Sequence, residues 1–311
     1  LARLEHACAR RQPTTLRQLQ EHALSLTLRH AQMTHLIRME QCAALDADGS
    51  GCVLMTTGLW LVGLGPGDLS QMTQAAISAA RACEHRFLEG YTASLPADQE
   101  QELTELVGPW TRLMRPDVEN PEELLRLAAE SSAALLVVGD PLQATTHVDL
   151  QLRCHAAGIA CDVVHGLSIT TVVTGAVGLQ SYRFGRQVTL PYPHGEVVPT
   201  SPLEFVIANR DRGLHTLVLL DLDPTGMGVE EQTPMSPEVA VDVLLRMAGE
   251  LDLDVGGWTG VLCSDVGSSE QRIIHGTLDR IASVSEGRMH CLVIPGRLDD
   301  MESEALSRWR V

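Results

Sequence analysis

Ala133-Ala-Leu-Leu-Val-Val-Gly-Asp-Pro-Leu-Gln-Ala-Thr-Thr-His147 is an apolar run that ends abruptly in small and polar residues. Its Leu and Val residues lack polar alternation, which is typical of a parallel strand covered on both faces. Gly139, Asp140 and Pro141 then end the strand, because proline lacks an N–H and restricts the residue before it. Ligands of open α/β sheets bind at such carboxyl ends, so the pattern predicts a carboxylate in a ligand crevice. The alternative is a β-turn whose aspartate merely caps a helix starting near Thr145.

Strands and helices alternate on both sides of this stretch. In the first half, the apolar patterns predict strands at 59–64, 86–88, 134–138 and 161–164, with helices at 69–83, 120–130 and 146–157. Asn120, Pro121 and Glu123 form the start signal of the second of these helices. In the second half, the apolar patterns predict helices at 203–209 and 237–249 and strands at 216–221, 259–263, 271–277 and 291–294. This β-α-β order predicts an α/β fold with a largely parallel sheet, in two lobes joined around residues 166–190.

The composition indicates a globular protein without a membrane span. The chain has 311 residues, 44% of them hydrophobic, and no apolar run reaches the ~18 residues that a span needs. The start of the chain does not resemble a secretion signal, so we expect a cytoplasmic location. The eight cysteines are scattered without a C-x-x-C pair, which predicts neither a metal site nor a disulfide framework.

The charge is more informative than the size. The formal net charge is −17 and the chain contains no lysine, so every fixed positive side chain is an arginine. A direct nucleic-acid binder is not expected, because phosphate contacts need a basic surface. An acidic surface suits molar salt, where a Debye length of about 3 Å screens self-repulsion, and we therefore expect a halophilic archaeal source. A GC-rich genome is the alternative, and it explains the missing lysine but not the acid excess.

The first 54 residues differ from the rest of the chain in charge. They hold six arginines and five acidic residues, against 17 arginines and 35 acidic residues in 55–311. We expect residues 1–54 to be an extra segment outside the fold, from an over-long gene start or a fusion, with folding beginning near Met55. A helical arm over Leu16–Met39 is the rival interpretation. The predicted organisation is then a first α/β lobe at 55–185 and a second at 186–311.

The first predicted strand leads into Gly63-Leu-Gly65-Pro-Gly67-Asp68. Glycines after a first strand allow the backbone to approach a ligand closely, as in dinucleotide-binding folds, where Glu84 or Glu89 would meet a ribose. Asp68 stands where that pattern needs its third glycine, and an acid there would repel a pyrophosphate. Backbone contact with an uncharged or cationic ligand fits the loop better.

Seven blocks follow one another along the chain: Val62–Asp68, Gly139–His147, His165–Ile169, Gly178–Gly185, Leu190–Pro193, Arg212–Asp221 and Cys291–Gly296. In their order and spacing, over about residues 58–298, they resemble the diphthine synthases of the tetrapyrrole methylase superfamily. The resemblance implies a two-lobed fold with a mostly parallel first sheet and a mixed second sheet. It further implies methylation by S-adenosylmethionine of the amino group of a 3-amino-3-carboxypropyl-histidine on translation elongation factor 2, by a homodimer.

Position by position, the resemblance implies the contacts to the methyl donor. They are Pro66, Asp140, Gln143, Ser168, Ile169, Leu220, Val266 and His290. Most would act through backbone groups, so that apolar residues can serve as walls of the adenine site. No catalytic residue is assigned, because the sulfonium already activates the methyl group and a free amine is already a nucleophile.

Four further residues are weaker candidates for the reaction. His147 and His165 adjoin the motifs and could accept a proton, although a histidine near a strand end is more often structural. Tyr182 and Arg183 could contact the substrate, with an ordinary surface role equally open.

Two departures from the family pattern keep other functions open. Pro66-Gly67 is more common in precorrin and uroporphyrinogen methylases, so a tetrapyrrole substrate is the alternative. In the second lobe Cys263–Ser268 replaces a usual Ala-Arg-Ala-Gly, and a positive charge becomes Asp265. This makes Val266 a less secure donor contact, and a binding module without catalysis is the third possibility.

Overall fold

The computed structural model describes residues 56–193, 195, 197–229 and 232–310. Residues 54–311 form one compact unit, built on two five-stranded sheets. The predictions made for residues 1–54 lie outside the described residues. None of the helices in the described residues is both long and apolar enough to span a membrane.

The first sheet is entirely parallel. Its strands are β1 (Gly58–Gly63), β2 (His85–Glu89), β3 (Thr111–Leu113), β4 (Ser132–Val137) and β5 (Cys161–Val164), in the order β3-β2-β4-β1-β5. All residues of β1 and β4 are buried, as their continuous apolar runs predict. The predicted parallel sheet is confirmed, and β1 and β4 lie side by side at its centre.

The helices that follow these strands cover the sheet. They are α1 (Gln74–Ala82), α2 (Ala97–Val107), α3 (Arg115–Glu119), α4 (Glu122–Glu130) and α5 (Val148–Ala157). The predicted helix 69–83 is wrong at its start: a 3-10 turn at Leu69–Gln71 precedes α1, whose N-cap is Thr73. Asn120 does not cap α4, because it already ends α3. Helix α5 begins at Val148 rather than Thr146.

The second sheet is mixed, which confirms the predicted fold class. Its strands are β6 (Val188–Leu190), β7 (Thr216–Leu220), β8 (Thr259–Ser264), β9 (Arg272–Thr277) and β10 (His290–Ile294), in the order β6-β7-β10-β8-β9. Only β6 and β7 are parallel neighbours. The helices after the first sheet are α6 (Ile169–Ala176), α7 (Ser201–Asp211), α8 (Pro237–Glu250), α9 (Leu278–Ala282) and α10 (Asp300–Ser307).

Helix α6 belongs to the core of the second sheet. Val173 packs in one buried cluster with Val261 of β8 and Val293 of β10. The chain therefore passes from one sheet to the other just after β5, and the segment His165–Ser168 lies where the two sheets meet. The lobe boundary at residue 185 stays a prediction.

Candidate active site

The carboxyl ends of β1 and β4 form the centre of the site. After β1 the chain leads to β2 on one side of the sheet, whereas after β4 it leads to β5 on the other side. Such a reversal opens a crevice at the carboxyl ends of the two strands. The loops that leave β1 and β4 are joined by two backbone hydrogen bonds: Gly139 N–H donates to Gly65 O at 2.9 Å, and Gly65 N–H donates to Gly139 O at 3.2 Å.

Glycines allow three loops to meet at this point. A Cβ on Gly63 would lie 2.5 Å from the backbone nitrogen of Gly166, and a Cβ on Gly166 would lie 2.3 Å from the carbonyl oxygen of Gly139. Real side chains do not tolerate such distances from backbone atoms. The loops after β1, β4 and β5 can therefore come together only because these residues lack side chains.

Asp140 ties the same loops together. Its side chain is 5% exposed; Oδ1 accepts a hydrogen bond from the Leu142 N–H at 2.9 Å, and Oδ2 lies 2.7 Å from His165 Nδ1. Oδ2 also accepts a bond from the Gly166 N–H at 3.3 Å. Asp140 does not cap α5, so the simple helix-capping alternative is wrong. Its carboxylate organises the crevice while the residue itself lines it.

A cavity of about 430 Å³ opens between the two sheets at this edge. Ligand sites in proteins have volumes of about 300–1,000 Å³, so the cavity is large enough for a small molecule. All eight residues predicted to contact the donor line it: Pro66, Asp140, Gln143, Ser168, Ile169, Leu220, Val266 and His290. The structure thus brings together positions that are up to 224 residues apart in the sequence.

The loop after β8 meets the first loop across the cavity. A Cβ on Gly267 would lie 2.3 Å from the Pro66 carbonyl oxygen, and Gln71 Nε2 donates to the Gly267 carbonyl at 2.7 Å. Asp265 accepts hydrogen bonds from the N–H groups of Arg288 and Met289 at 2.9 and 3.0 Å. The segment Cys263–Ser268 is therefore held by hydrogen bonds of its own, and Val266 lies at the cavity wall.

The lining of the cavity is acidic. Among the described residues it contains one arginine, Arg288, against five acidic residues, Asp68, Asp98, Asp140, Asp265 and Glu270. His290 adds no charge at neutral pH, because burial lowers its pKa below the ordinary value. Its Nδ1 lies 2.8 Å from Ser264 Oγ. A cavity of this kind favours a cationic ligand over an anionic one.

The four weaker candidates are not among the residues that line the cavity. His147 is 1% exposed, its Nδ1 lies 3.0 Å from the Pro141 carbonyl, and burial lowers its pKa. The His165 ring lies outside, bound to Asp140. Arg183 is an ion-pair partner of the buried Glu302, whereas Tyr182 is fully on the surface. These contacts give His147 and Arg183 structural roles, whereas the roles suggested for the exposed His165 and Tyr182 stay predictions.

Sequence reasoning missed a pair next to the cavity. Thr92 lines it, and its hydroxyl donates a 2.5 Å hydrogen bond to Glu89, the last residue of β2. Glu89 is 1% exposed and does not line the cavity, so its suggested contact with a ribose is wrong. The available signal was an acidic residue at the carboxyl end of a predicted strand.

No group of three or more metal-ligating side chains occurs among the described residues.

Comparison with known proteins identifies the family. The family model for tetrapyrrole (corrin/porphyrin) methylases matches residues 58–282. A diphthine synthase of Methanoregula boonei is 36% identical over 254 residues, which is 81% of this chain and 98% of the relative. One from Halobacterium salinarum is 37% identical, over 80% of this chain and 95% of the relative. The chain belongs to the diphthine synthase family.

Solved structures agree with this assignment. A crystal structure assigned to diphthine synthase from Entamoeba histolytica matches with a TM-score of 0.74 at 32% identity, covering 82% of this chain and 99% of the other. A second diphthine synthase crystal structure matches with a TM-score of 0.71 at 30% identity, over 81% and 95% of the two chains. This member of the diphthine synthase family is therefore a methyltransferase of diphthamide biosynthesis, and the relatives do not favour the tetrapyrrole-methylating alternative.

Proposed function

We propose that this chain transfers methyl groups from S-adenosylmethionine to the amino group of the 3-amino-3-carboxypropyl-histidine of translation elongation factor 2, giving diphthine. One observation carries the proposal: the eight donor contacts that the family resemblance implies, although scattered through the sequence, line a single cavity between the two sheets.

The electrostatics of the cavity support the same ligand. The donor carries a positive sulfonium, and both the protonated amine and its methylated product are cations. Five acidic residues against one arginine in the lining favour all three species. Uncharged His290 and the backbone groups of Ser168, Ile169 and Leu220 suit an adenosine moiety, which is polar but neutral.

The protein's share of the chemistry is alignment. When bound, S-adenosylmethionine supplies a methyl carbon already activated by the positive sulfur. The loops after β1, β4 and β8 would hold the donor, and the crevice would exclude water from the line of attack. This division of labour explains why the cavity needs no catalytic triad.

The proposed protein substrate also determines where the enzyme would act and what it would contact. A translation factor is modified where it is made, so we propose that the enzyme acts in the cytoplasm. It would need no direct contact with nucleic acid or membrane. The family resemblance also supports a homodimer. Sedimentation equilibrium at multimolar potassium chloride tests the dimer, and a single species with the monomer mass would exclude it.

The function is tested with purified protein and elongation factor 2 that carries the unmethylated modified histidine. Mass spectrometry is expected to show methyl groups added to that histidine when S-adenosylmethionine is present. Methylation of uroporphyrinogen with no change in the factor would instead establish the tetrapyrrole alternative.

A matched pair of variants ties the activity to the cavity. Gln143 is exposed and lines it, so Gln143→Trp fills the donor site without disturbing the core. Leu152→Trp places the same side chain on the exposed face of α5, outside the cavity lining. Calorimetry with S-adenosylhomocysteine should show at least about tenfold weaker binding for Gln143→Trp, and unchanged binding for Leu152→Trp. Equal affinities would place the donor elsewhere.

A further inference from the structure

Methylation of a protonated amine requires a group that accepts its proton. A free α-amino group has a pKa of about 8, so the substrate amine arrives largely protonated at neutral pH. Each transfer to a nitrogen that still carries hydrogen creates a new protonated amine, which must lose a proton before it can react again. His290 is the only histidine among the described cavity residues, and its lowered pKa makes it a weak proton acceptor.

Glu89 and Thr92 form a proton-accepting pair at the cavity wall. Glu89 ends β2 and its side chain is 1% exposed. Its Oε1 accepts a hydrogen bond from the Thr92 N–H at 3.1 Å, and its Oε2 accepts one from the Thr92 hydroxyl at 2.5 Å. Because that hydroxyl gives its only hydrogen to Glu89, its lone pairs remain free to accept a bond from another donor. Thr92 lines the cavity, so the carboxyl is connected to the ligand space through one side chain.

The surroundings tune Glu89 to neutral pH. Burial raises its pKa from 4.5 to about 7, against the hydrogen bonds from Thr92 and Tyr91 and the positive charge of Arg115. Arg115 stands at the start of α3 with its guanidinium 5.3 Å from the centre of the Tyr91 ring. Arg115 lowers the pKa of Tyr91, whereas the nearby Glu119 of α3 raises it. A carboxyl that titrates near the working pH is well suited to take up and release a proton.

We propose that Glu89, acting through the hydroxyl of Thr92, accepts the proton that the substrate amine releases. This inference rests on the proposed function. The N–H bond of the ammonium breaks and its electron pair stays on nitrogen, where it becomes the nucleophile. The proton passes to Thr92 Oγ1, and the hydrogen that Thr92 held passes to Glu89 Oε2. Glu89 returns it to solvent by the same route, so the pair is restored for the next transfer.

The test is a pH profile of single-turnover methylation of elongation factor 2. For the natural sequence, the rate should rise with pH through an apparent pKa near 7. Glu89→Gln keeps the size and one acceptor of the side chain but cannot take a proton. It should lower the rate at pH 7 by about 100-fold, the lower end of general acid–base effects, and should remove the limb near pH 7. Activity should recover toward pH 10, where the amine is deprotonated in solution.

Variants of Thr92 test the same proton path if the Glu89→Gln variant does not fold. Thr92→Val removes the hydroxyl at nearly constant volume and should reproduce the Glu89→Gln profile, whereas Thr92→Ser retains the hydroxyl and should retain the limb. Binding of S-adenosylhomocysteine should be unchanged in all three variants. An unaltered limb in Glu89→Gln or in Thr92→Val would overturn the proposal, since the proton would then have another route.

The outcomes separate this inference from the proposed function. If the natural sequence adds no methyl group to the factor at any pH, the proposed function fails, and the proton pathway fails with it. If the natural sequence is active and the variants match its profile, only the inference fails.

Discussion

Glu89 shows how a residue beside the site can lower the stability of the fold. Its pKa is raised from 4.5 to about 7 by burial, so the folded state binds the proton more tightly than the unfolded state. Proton binding therefore stabilises the fold at low pH relative to high pH. This stabilisation is complete below pH 4.5 and is lost as the pH rises through 7, where the buried carboxylate becomes charged. Each pKa unit is worth about 1.4 kcal/mol, so the full difference is about 3 kcal/mol.

We therefore expect Glu89→Gln to stabilise the protein relative to the natural sequence at pH 8.5 but not at pH 4.5. Thermal denaturation in the same salt at the two pH values measures the difference. Glu84 is exposed just before β2, and Glu84→Gln serves as the control with no pH-dependent difference. If the effect of Glu89→Gln is the same at both pH values, Glu89 is already ionised at pH 4.5 or is not buried.

Asp140 illustrates which residue-level predictions a sequence can support. The Gly-Asp-Pro pattern predicts a carboxylate at the end of a buried strand, and the structure places Asp140 there. It does not reveal that the carboxylate is bound by Leu142, His165 and Gly166. Those partners come from a turn and from a strand end 25 residues away, and only the folded arrangement brings them together.

At the scale of elements, continuous apolar runs made the central strands predictable. β1, β4 and β10 are buried on both faces, and their apolar runs are too short for a typical helix, which favours strands. The missed elements lack this signal. β3 is a three-residue edge strand with two exposed residues, and α2 buries only Leu103 and Val107. α10 carries a different sequence signal, the capping box formed by Asp299 and Glu302 at its start.

The convergence of three loops gives an element-scale prediction. Gly166→Ala would place a Cβ 2.3 Å from the Gly139 carbonyl oxygen, which is backbone and cannot rotate away. We expect a loss of about 2 kcal/mol in the free energy of unfolding, typical of overpacking, together with weaker binding of S-adenosylhomocysteine. Urea denaturation and calorimetry measure the two effects.

Gly175→Ala is the matched control. Gly175 is exposed in α6, and a Cβ there meets no atom within 4 Å apart from the backbone of its own helix. Alanine is about 0.5–1 kcal/mol more favourable than glycine inside a helix, so this variant should be slightly more stable than the natural sequence. Similar losses in both variants would mean that the loops after β4 and β5 do not touch.

At the scale of the whole molecule, one compact unit, residues 54–311, must tolerate 35 acidic residues against 17 arginines, a formal net charge of −18. Repulsion among like charges opposes compaction at low ionic strength, and salt weakens it. We therefore expect the thermal midpoint to rise markedly between 0.1 and 3 M potassium chloride. Equal midpoints would show that the acid excess is not an adaptation to salt.

A charge-reduced variant distinguishes screening from a general effect of salt on burial. Glu102, Glu105, Glu250 and Glu304 are exposed helical residues outside the cavity lining, and Glu105 and Glu250 lie near helix C-termini, where a negative charge is unfavourable. Replacing all four by glutamine should raise the midpoint at 0.1 M and shrink its rise with salt. Concentrated salt also strengthens burial of apolar surface, and that contribution should be the same in both proteins. An identical rise in the variant and the natural sequence would therefore assign the salt effect to the apolar core and not to the acidic surface.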